Sequence, residues 1–210
     1  MTTPSGPDQT RLRLLTAAAE EMLQRGYAAA SLSAIAGRLG LTKGAFGHHF
    51  PTKQSIVVAL LERADEVVDD VGAQASALFP ESPLRACVAF FAGLGARGSA
   101  DPVAAVAMAL HQDLAVPASA IMPTRARMRA VIEALLRQAA DRESLFLRMA
   151  PDDAALFLLT LTSGELSGAR FIEGYGPELA MQFLAAGLSG IGVEDAQGVV
   201  TDGVRAIWGA

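Results

Sequence analysis

The stretch from Ser31 to Lys53, SLSAIAGRLGLTKGAFGHHFPTK, constrains this chain more than any other because glycine and proline punctuate it at decisive places. Leu32, Ile35, Ala36 and Leu39 recur at helical spacing behind Ser31, a residue suited to cap a helix start. Gly40 can take the left-handed backbone that ends such a helix. A second helix then starts at Thr42, with Ala45, Phe46 and Phe50 expected on its inward side, and Pro51 forbids ordinary continuation beyond Phe50. Two short helices at a glycine corner make a helix-turn-helix pattern, which helical proteins without any DNA partner also contain.

If the pattern reads DNA, its second helix enters the major groove with N-terminal residues against base edges. Lys43, Gly44, Ala45 and Gly47 fall on or near the outer face, where small side chains permit close approach; Thr42, His48, His49 and Lys53 bring donors for phosphate oxygens. The order S-x-x-x-I-A, then G-L-T-K-G-A-F, then H-H-F-P-T-K, behind an amphipathic N-terminal helix, resembles the TetR family of bacterial transcriptional regulators. That resemblance covers about the first quarter of the chain. It implies that Ser33, Thr42, Lys43, Gly44, Ala45, Gly47, His48, His49 and Lys53 face a double-stranded DNA operator. It also implies a homodimer joined by a four-helix interface, with a small-molecule effector held in a C-terminal helical domain. One position departs: the family most often has Tyr where Gly47 stands and often a second aromatic in the place of His48, so a base or phosphate contact is expected to be missing.

Charge is distributed in keeping with that reading. The chain carries −5 overall, but residues 1–53 hold six Lys or Arg against three acids, +3, leaving −8 for the remainder. A basic end on an acidic body suits DNA contact confined to that end. The expected fold is all-α: a disordered arm over 1–8, a three-helix DNA-binding domain over 9–53, and a helical-bundle ligand-binding and dimerisation domain over 54–210, linked by a helix over 52–77. The first helix is expected over 10–25, ended by Gly26, and later ones near 83–97, 102–114, 122–142, 151–173, 177–188 and 196–208. No apolar run has the length of a membrane span, and no leader is visible, so a cytoplasmic location is expected. The helix from Pro151, with Ser163, Gly164, Ser167 and Gly168 among apolar neighbours, is the expected dimer element together with the C-terminal helices up to Trp208.

Polar groups embedded in apolar helices mark an effector site. Phe90, Met108, Met122 and Phe157 are candidate walls, with His111 and Glu165 as polar contacts. Asp65, Glu66, Asp69 and Asp70 share a helix but lack the converging ligands a cation needs, and His48 and His49 diverge too far to chelate; no metal and no cofactor is expected. The lone Cys87 excludes an intramolecular disulfide. No nucleophile with a base, phosphate loop or H-E-x-x-H appears, which sets aside most enzyme classes, although carboxylate chemistry at Glu165 and Glu173, or an interaction module that has lost DNA binding, stay as alternatives.

Overall fold

The computed structural model describes residues 6–113 and 115–209, and among them the only regular structure is helical. Ten α-helices run as α1 Gly6–Ala29, α2 Leu32–Arg38, α3 Lys43–His49, α4 Lys53–Leu78, α5 Pro83–Ala100, α6 Pro102–Ala109, α7 Ala118–Arg142, α8 Pro151–Gly168, α9 Pro177–Ile191 and α10 Ala196–Trp208. Single 3-10 turns follow α6 at Leu110–Gln112 and α8 at Ala169–Phe171. Of the arm expected over 1–8, residues 6–8 belong to α1, and the rest lies outside the described residues.

The helices form two compact units. The first takes the chain up to Val67 and returns for Arg97–Pro123; the second takes Val68–Ala96 and the chain from Thr124 onward. The helix-turn-helix therefore shares its unit with α6, a segment that the sequence places beyond residue 53. Val103 and Val106 of α6 and Leu110 after it are buried in one core with Leu14, Ala18 and Met22 of α1, Ile35 of α2, Phe46, Phe50, and Ile56 and Leu60 of α4. Alanines at 17–19 of α1 are buried where α6 packs on it, and their small volume permits that approach. Within α1, Gly26 breaks the helix with φ 77°, where the sequence predicts its end.

The second unit is cored by Val68, Val71 and Ala75 of α4, Phe90 of α5, Ile132 and Leu136 of α7, Leu158 of α8, Leu188 and Ile191 of α9, and Val200 of α10. At Gly203 of α10 an added Cβ would stand 2.6 Å from a methyl of Val88, so only glycine permits this α5–α10 approach. Glu143, in the link after α7, accepts from the Leu84 N–H at 2.8 Å and the Ser82 hydroxyl at 2.9 Å, satisfying the start of α5 from outside that helix. Arg148 does the reverse at the end of α9, donating its backbone N–H to the Ile191 carbonyl at 2.9 Å and its guanidinium to that of Ser189 at 3.3 Å.

Several bounds differ from those the sequence predicts, among them the end of α6 at Ala109 instead of 114, the start of α7 and the end of α8. α7 begins at Ala118, so Pro123 is its sixth residue and forgoes one backbone hydrogen bond, a loss confined to the second turn of the helix. α8 stops at Gly168 instead of reaching Glu173, after a last turn weakened by Gly164 and Gly168.

Cys87 is wholly buried in α5, and burial pushes its thiol up to about 12. A thiol reagent at pH 8 is therefore expected to leave the native protein unlabelled and to react along the denaturant unfolding curve. Rapid labelling without denaturant would contradict this burial.

Candidate nucleic-acid interface

The corner is assembled by interactions each of which a local residue supplies. Ser31 caps α2, its hydroxyl accepting from the Ala34 N–H at 3.2 Å. At the other end Gly40, with φ 65°, closes a Schellman motif: Leu41 N–H donates to the Ala36 carbonyl at 3.0 Å and Gly40 N–H to that of Gly37 at 3.1 Å. Thr42 then caps α3, accepting from the Ala45 N–H at 3.2 Å. After Pro51, Thr52 and Ser55 satisfy each other's backbone donors at the start of α4, at 3.0 and 3.3 Å. Each cap of this kind is worth about 1 kcal/mol.

Caps alone do not hold α3. It has seven residues, two of them glycine, and helices this short are unstable by themselves, while each glycine costs about 1 kcal/mol relative to alanine. Its anchors are Phe46 and Phe50, both fully buried with ring centroids 5.8 Å apart; burying each contributes about 2 to 3 kcal/mol. Burial therefore outweighs the glycine penalty. Ala45, which the sequence places both beside the inward phenylalanines and near the outer face, is exposed: Phe46 and Phe50 define the buried side at a spacing of four, and Ala45 sits about 100° off it.

The outward side consists of Thr42, Lys43, Gly44, Ala45, His48 and His49, all exposed or partly so, with Gly47 half-buried, and Ser33 is exposed on α2. Bare backbone at Gly44 and Gly47 leaves the first turns of α3 open to a groove. Among the described residues Lys43 makes no ion pair or hydrogen bond, while the two imidazoles meet edge to face at 5.7 Å.

Four other cations of the basic end, Arg11, Arg25, Arg38 and Lys53, are used internally. Arg38 meets buried Glu21 at 2.7 Å and Glu20 at 3.7 Å and also bonds Gln24; Arg25 approaches the second Glu21 oxygen at 3.0 Å, as an ion pair rather than a well-directed hydrogen bond. Arg11 lies 5.3 Å above the Phe50 ring and 3.7 Å from Glu62. Lys53, expected on phosphate, donates to the Ala28 carbonyl at 2.9 Å with its ammonium 4.3 Å from the Tyr27 ring centroid. Composition could not reveal this, because charge counts do not say which partners lie across the fold; the Glu20–Glu21 pair on α1 is the one sequence signal for it.

The family described as bacterial regulatory proteins, tetR family, matches residues 14–60, which run from the α1 core through the corner into α4. Those residues carry the tetR-family pattern. The chain is 40% identical over 65 residues to the HTH-type transcriptional activator FasR of Mycolicibacterium smegmatis, covering 30% of each chain. It is 31% identical over 74 residues to the HTH-type transcriptional regulator CymR of Pseudomonas putida, covering 35% of this chain and 36% of that one. The matched part thus spans about a third of the length of these curated relatives. In fold the likeness extends further. A gamma-butyrolactone receptor (ArpA-like protein) superposes with TM-score 0.78 at 22% identity over 97% of this chain and 98% of that one. SmeT, the repressor of the Stenotrophomonas maltophilia multidrug efflux pump SmeDEF, does so with TM-score 0.70 at 24% identity over 89% and 92%.

The candidate effector residues divide between the units. Met108, His111 and Met122 belong to the first, Phe90, Phe157 and Glu165 to the second. Met122 and Phe157 are exposed and Phe90 is wholly buried. The His111 Nδ1 stands 2.9 Å from the Ala107 carbonyl, to which it can donate as its Nδ1–H tautomer. Glu165 accepts from the Tyr175 hydroxyl. Burial raises the Glu165 carboxyl above its ordinary range, against the opposing effect of that hydrogen bond. Tyr175 is raised as well, by burial and then by the adjacent carboxylate. Among the described residues no group of three or more His, Cys, Asp or Glu could hold a metal ion, and no helix is long and apolar enough to cross a membrane.

A Cβ at Gly47 would meet nothing within 4 Å, so Gly47→Tyr is expected to fold unchanged and to bind DNA about tenfold more tightly, through one aromatic ring added per protomer; equal affinity in a binding titration would contradict this. A raised folded-state carboxyl costs stability as pH rises through its titration, so Glu165→Gln should stabilise the protein more at pH 8 than at pH 4 in denaturant melts. A pH-independent effect would contradict that.

Proposed function

We propose that this protein is a homodimeric DNA-binding transcriptional regulator that is released from a palindromic operator by a small molecule. The observation that carries the reading is α3 itself: a capped helix anchored by Phe46 and Phe50, with Thr42, Lys43, Gly44, Ala45, Gly47, His48 and His49 turned outward and Ser33 beside it on α2. Thr42 and the imidazoles address phosphate, and Lys43 with the glycine-lined backbone addresses base edges. Such a protein works in the cytoplasm, where its operator is, and catalyses nothing. Repression is the outcome proposed for occupancy of a promoter, the role of SmeT, whose fold this chain shares, although the relative FasR is an activator.

Dimerisation is supported by α8. Asp153, Leu156, Phe157, Thr160, Gly164 and Ser167 are exposed at helical spacing, a stripe in which small residues allow a second copy to approach closely. Leu166 and Trp208 add exposed apolar surface on α8 and α10. A two-fold dimer presents two copies of α3 to half-sites about one helical turn, roughly 34 Å, or a multiple of it apart.

The effector acts by differential affinity. A small molecule bound by the helical region beyond α3, with Glu165 as a polar contact, prefers one arrangement of α4, whose residues 53–67 belong to the first unit and 68–78 to the second. Shifting α4 changes the spacing of the two α3 helices, and a ligand binding both arrangements equally would release nothing. The relative in fold described as a gamma-butyrolactone receptor supports an effector-binding role.

Selection of bound sequences from a random duplex pool tests this reading. The unmodified protein is expected to recover a palindromic site, and Leu156→Glu to sediment as a monomer and lose that site. No enrichment by a folded dimer would refute the assignment and favour a module that has lost DNA binding.

A further inference from the structure

We infer that Lys53 is a positioning residue for α3, not a phosphate contact; this rests on the DNA-binding reading above. Lys53 opens α4, three residues after Phe50, at the point where the chain leaves the reading helix. Its ammonium is half-sequestered: one N–H is given to the Ala28 carbonyl at 2.9 Å, and the charge lies 4.3 Å from the centroid of Tyr27. Both partners stand in the turn after Gly26 breaks α1, where carbonyls lack intrahelical donors and welcome a cation. The pairing is chemically complete, since an ammonium prefers an electron-rich ring face with an oxygen acceptor alongside.

The same device recurs at the other end of α1. There Arg11 stands 5.3 Å over the Phe50 ring and 3.7 Å from Glu62 of α4. Two cations thus tie both ends of α1 to the segment that closes α3, one over Phe50 and one from Lys53. Phe50 and Lys53 bracket Pro51, so fixing both fixes the direction in which α3 exits its core. Moving Lys53 onto a phosphate would give up the Ala28 and Tyr27 contacts for one exposed, salt-screened ion pair. The internal arrangement is the one the ammonium adopts in this structure. Lys53 therefore acts on DNA through the orientation of α3, and the electrostatic part of binding falls to Lys43 and its neighbours.

Salt dependence separates the roles. Binding of the palindromic duplex recovered by selection is measured against salt for the unmodified protein and for Lys53→Met, Tyr27→Leu, Tyr27→Phe and the Lys53→Met/Tyr27→Leu double variant, each confirmed folded by circular dichroism. Positioning predicts that Lys53→Met and Tyr27→Leu each bind about tenfold more weakly at every salt concentration, with log–log slopes parallel to the unmodified protein's. The double variant should be no weaker than either single one, and Tyr27→Phe, which keeps the ring, should bind as the unmodified protein does. A direct phosphate role predicts instead that Lys53→Met has a slope shallower by about 0.9 for each phosphate it no longer neutralises, with Tyr27→Leu retaining the full slope and affinity; that result overturns the inference. A lowered melting temperature with unchanged affinity of the folded variant also overturns it, because the role would then be structural only. Failure of the unmodified protein to bind any duplex overturns the DNA-binding reading, and this inference with it.

Discussion

Burial of Phe46 and Phe50 is the interaction on which the rest of the first unit depends. A helix of seven residues with two glycines has no independent stability, so every outward group on it is placed by these two inward rings. Their demands radiate outward. The rings need a core, which α1, α2, α4 and α6 supply with Leu14, Ile35, Ile56 and Val106, and the corner needs a left-handed residue so that α3 can leave α2 pointing its rings into that core. The glycines at 44 and 47, which weaken the helix, are tolerated because the anchors outweigh them, and they leave an open backbone where a groove would be approached.

Charge in the first unit serves folding before it serves binding. The +3 balance of residues 1–53 reads as an electrostatic footprint, yet Arg25 and Arg38 neutralise Glu20 and Glu21, and Arg11 and Lys53 lie over aromatic rings. A buried carboxylate such as Glu21 would be costly without its two guanidinium neighbours. What is left facing outward on α3 is Lys43 with two imidazoles, a sparser cationic face than composition implies.

The features legible in the sequence are those set by one residue's own stereochemistry. Ser31 and Thr42 as caps, Gly26 and Gly40 as breaks and Pro51 as a stop all stand where local rules place them. The features that escape it depend on partners distant in the chain. The destinations of Arg38 and Lys53 are settled across the fold, and α6 is too uniformly alanine and valine to announce which core it joins. Periodicity misplaces Ala45 because a short helix with two phenylalanines shows its buried side only through them, and a small neighbour is compatible with either side. In the second unit, close contacts such as Gly203 against Val88 are invisible to periodicity, since glycine carries no hydrophobic signal.

If α3 is the surface presented to DNA and its core anchors hold it there, binding must protect that helix before any other. Amide hydrogen exchange, followed by mass spectrometry on the dimer with and without a bound palindromic duplex, tests this most directly. The predicted result is slowed exchange confined to the corner and α3, over residues 40–49, with the α8 stripe, which the proposed dimer would cover, unchanged by DNA. Protection that spares residues 40–49 and falls on α8 or α9 would contradict this assignment, because it would put the nucleic acid on the face assigned to the second copy of the chain.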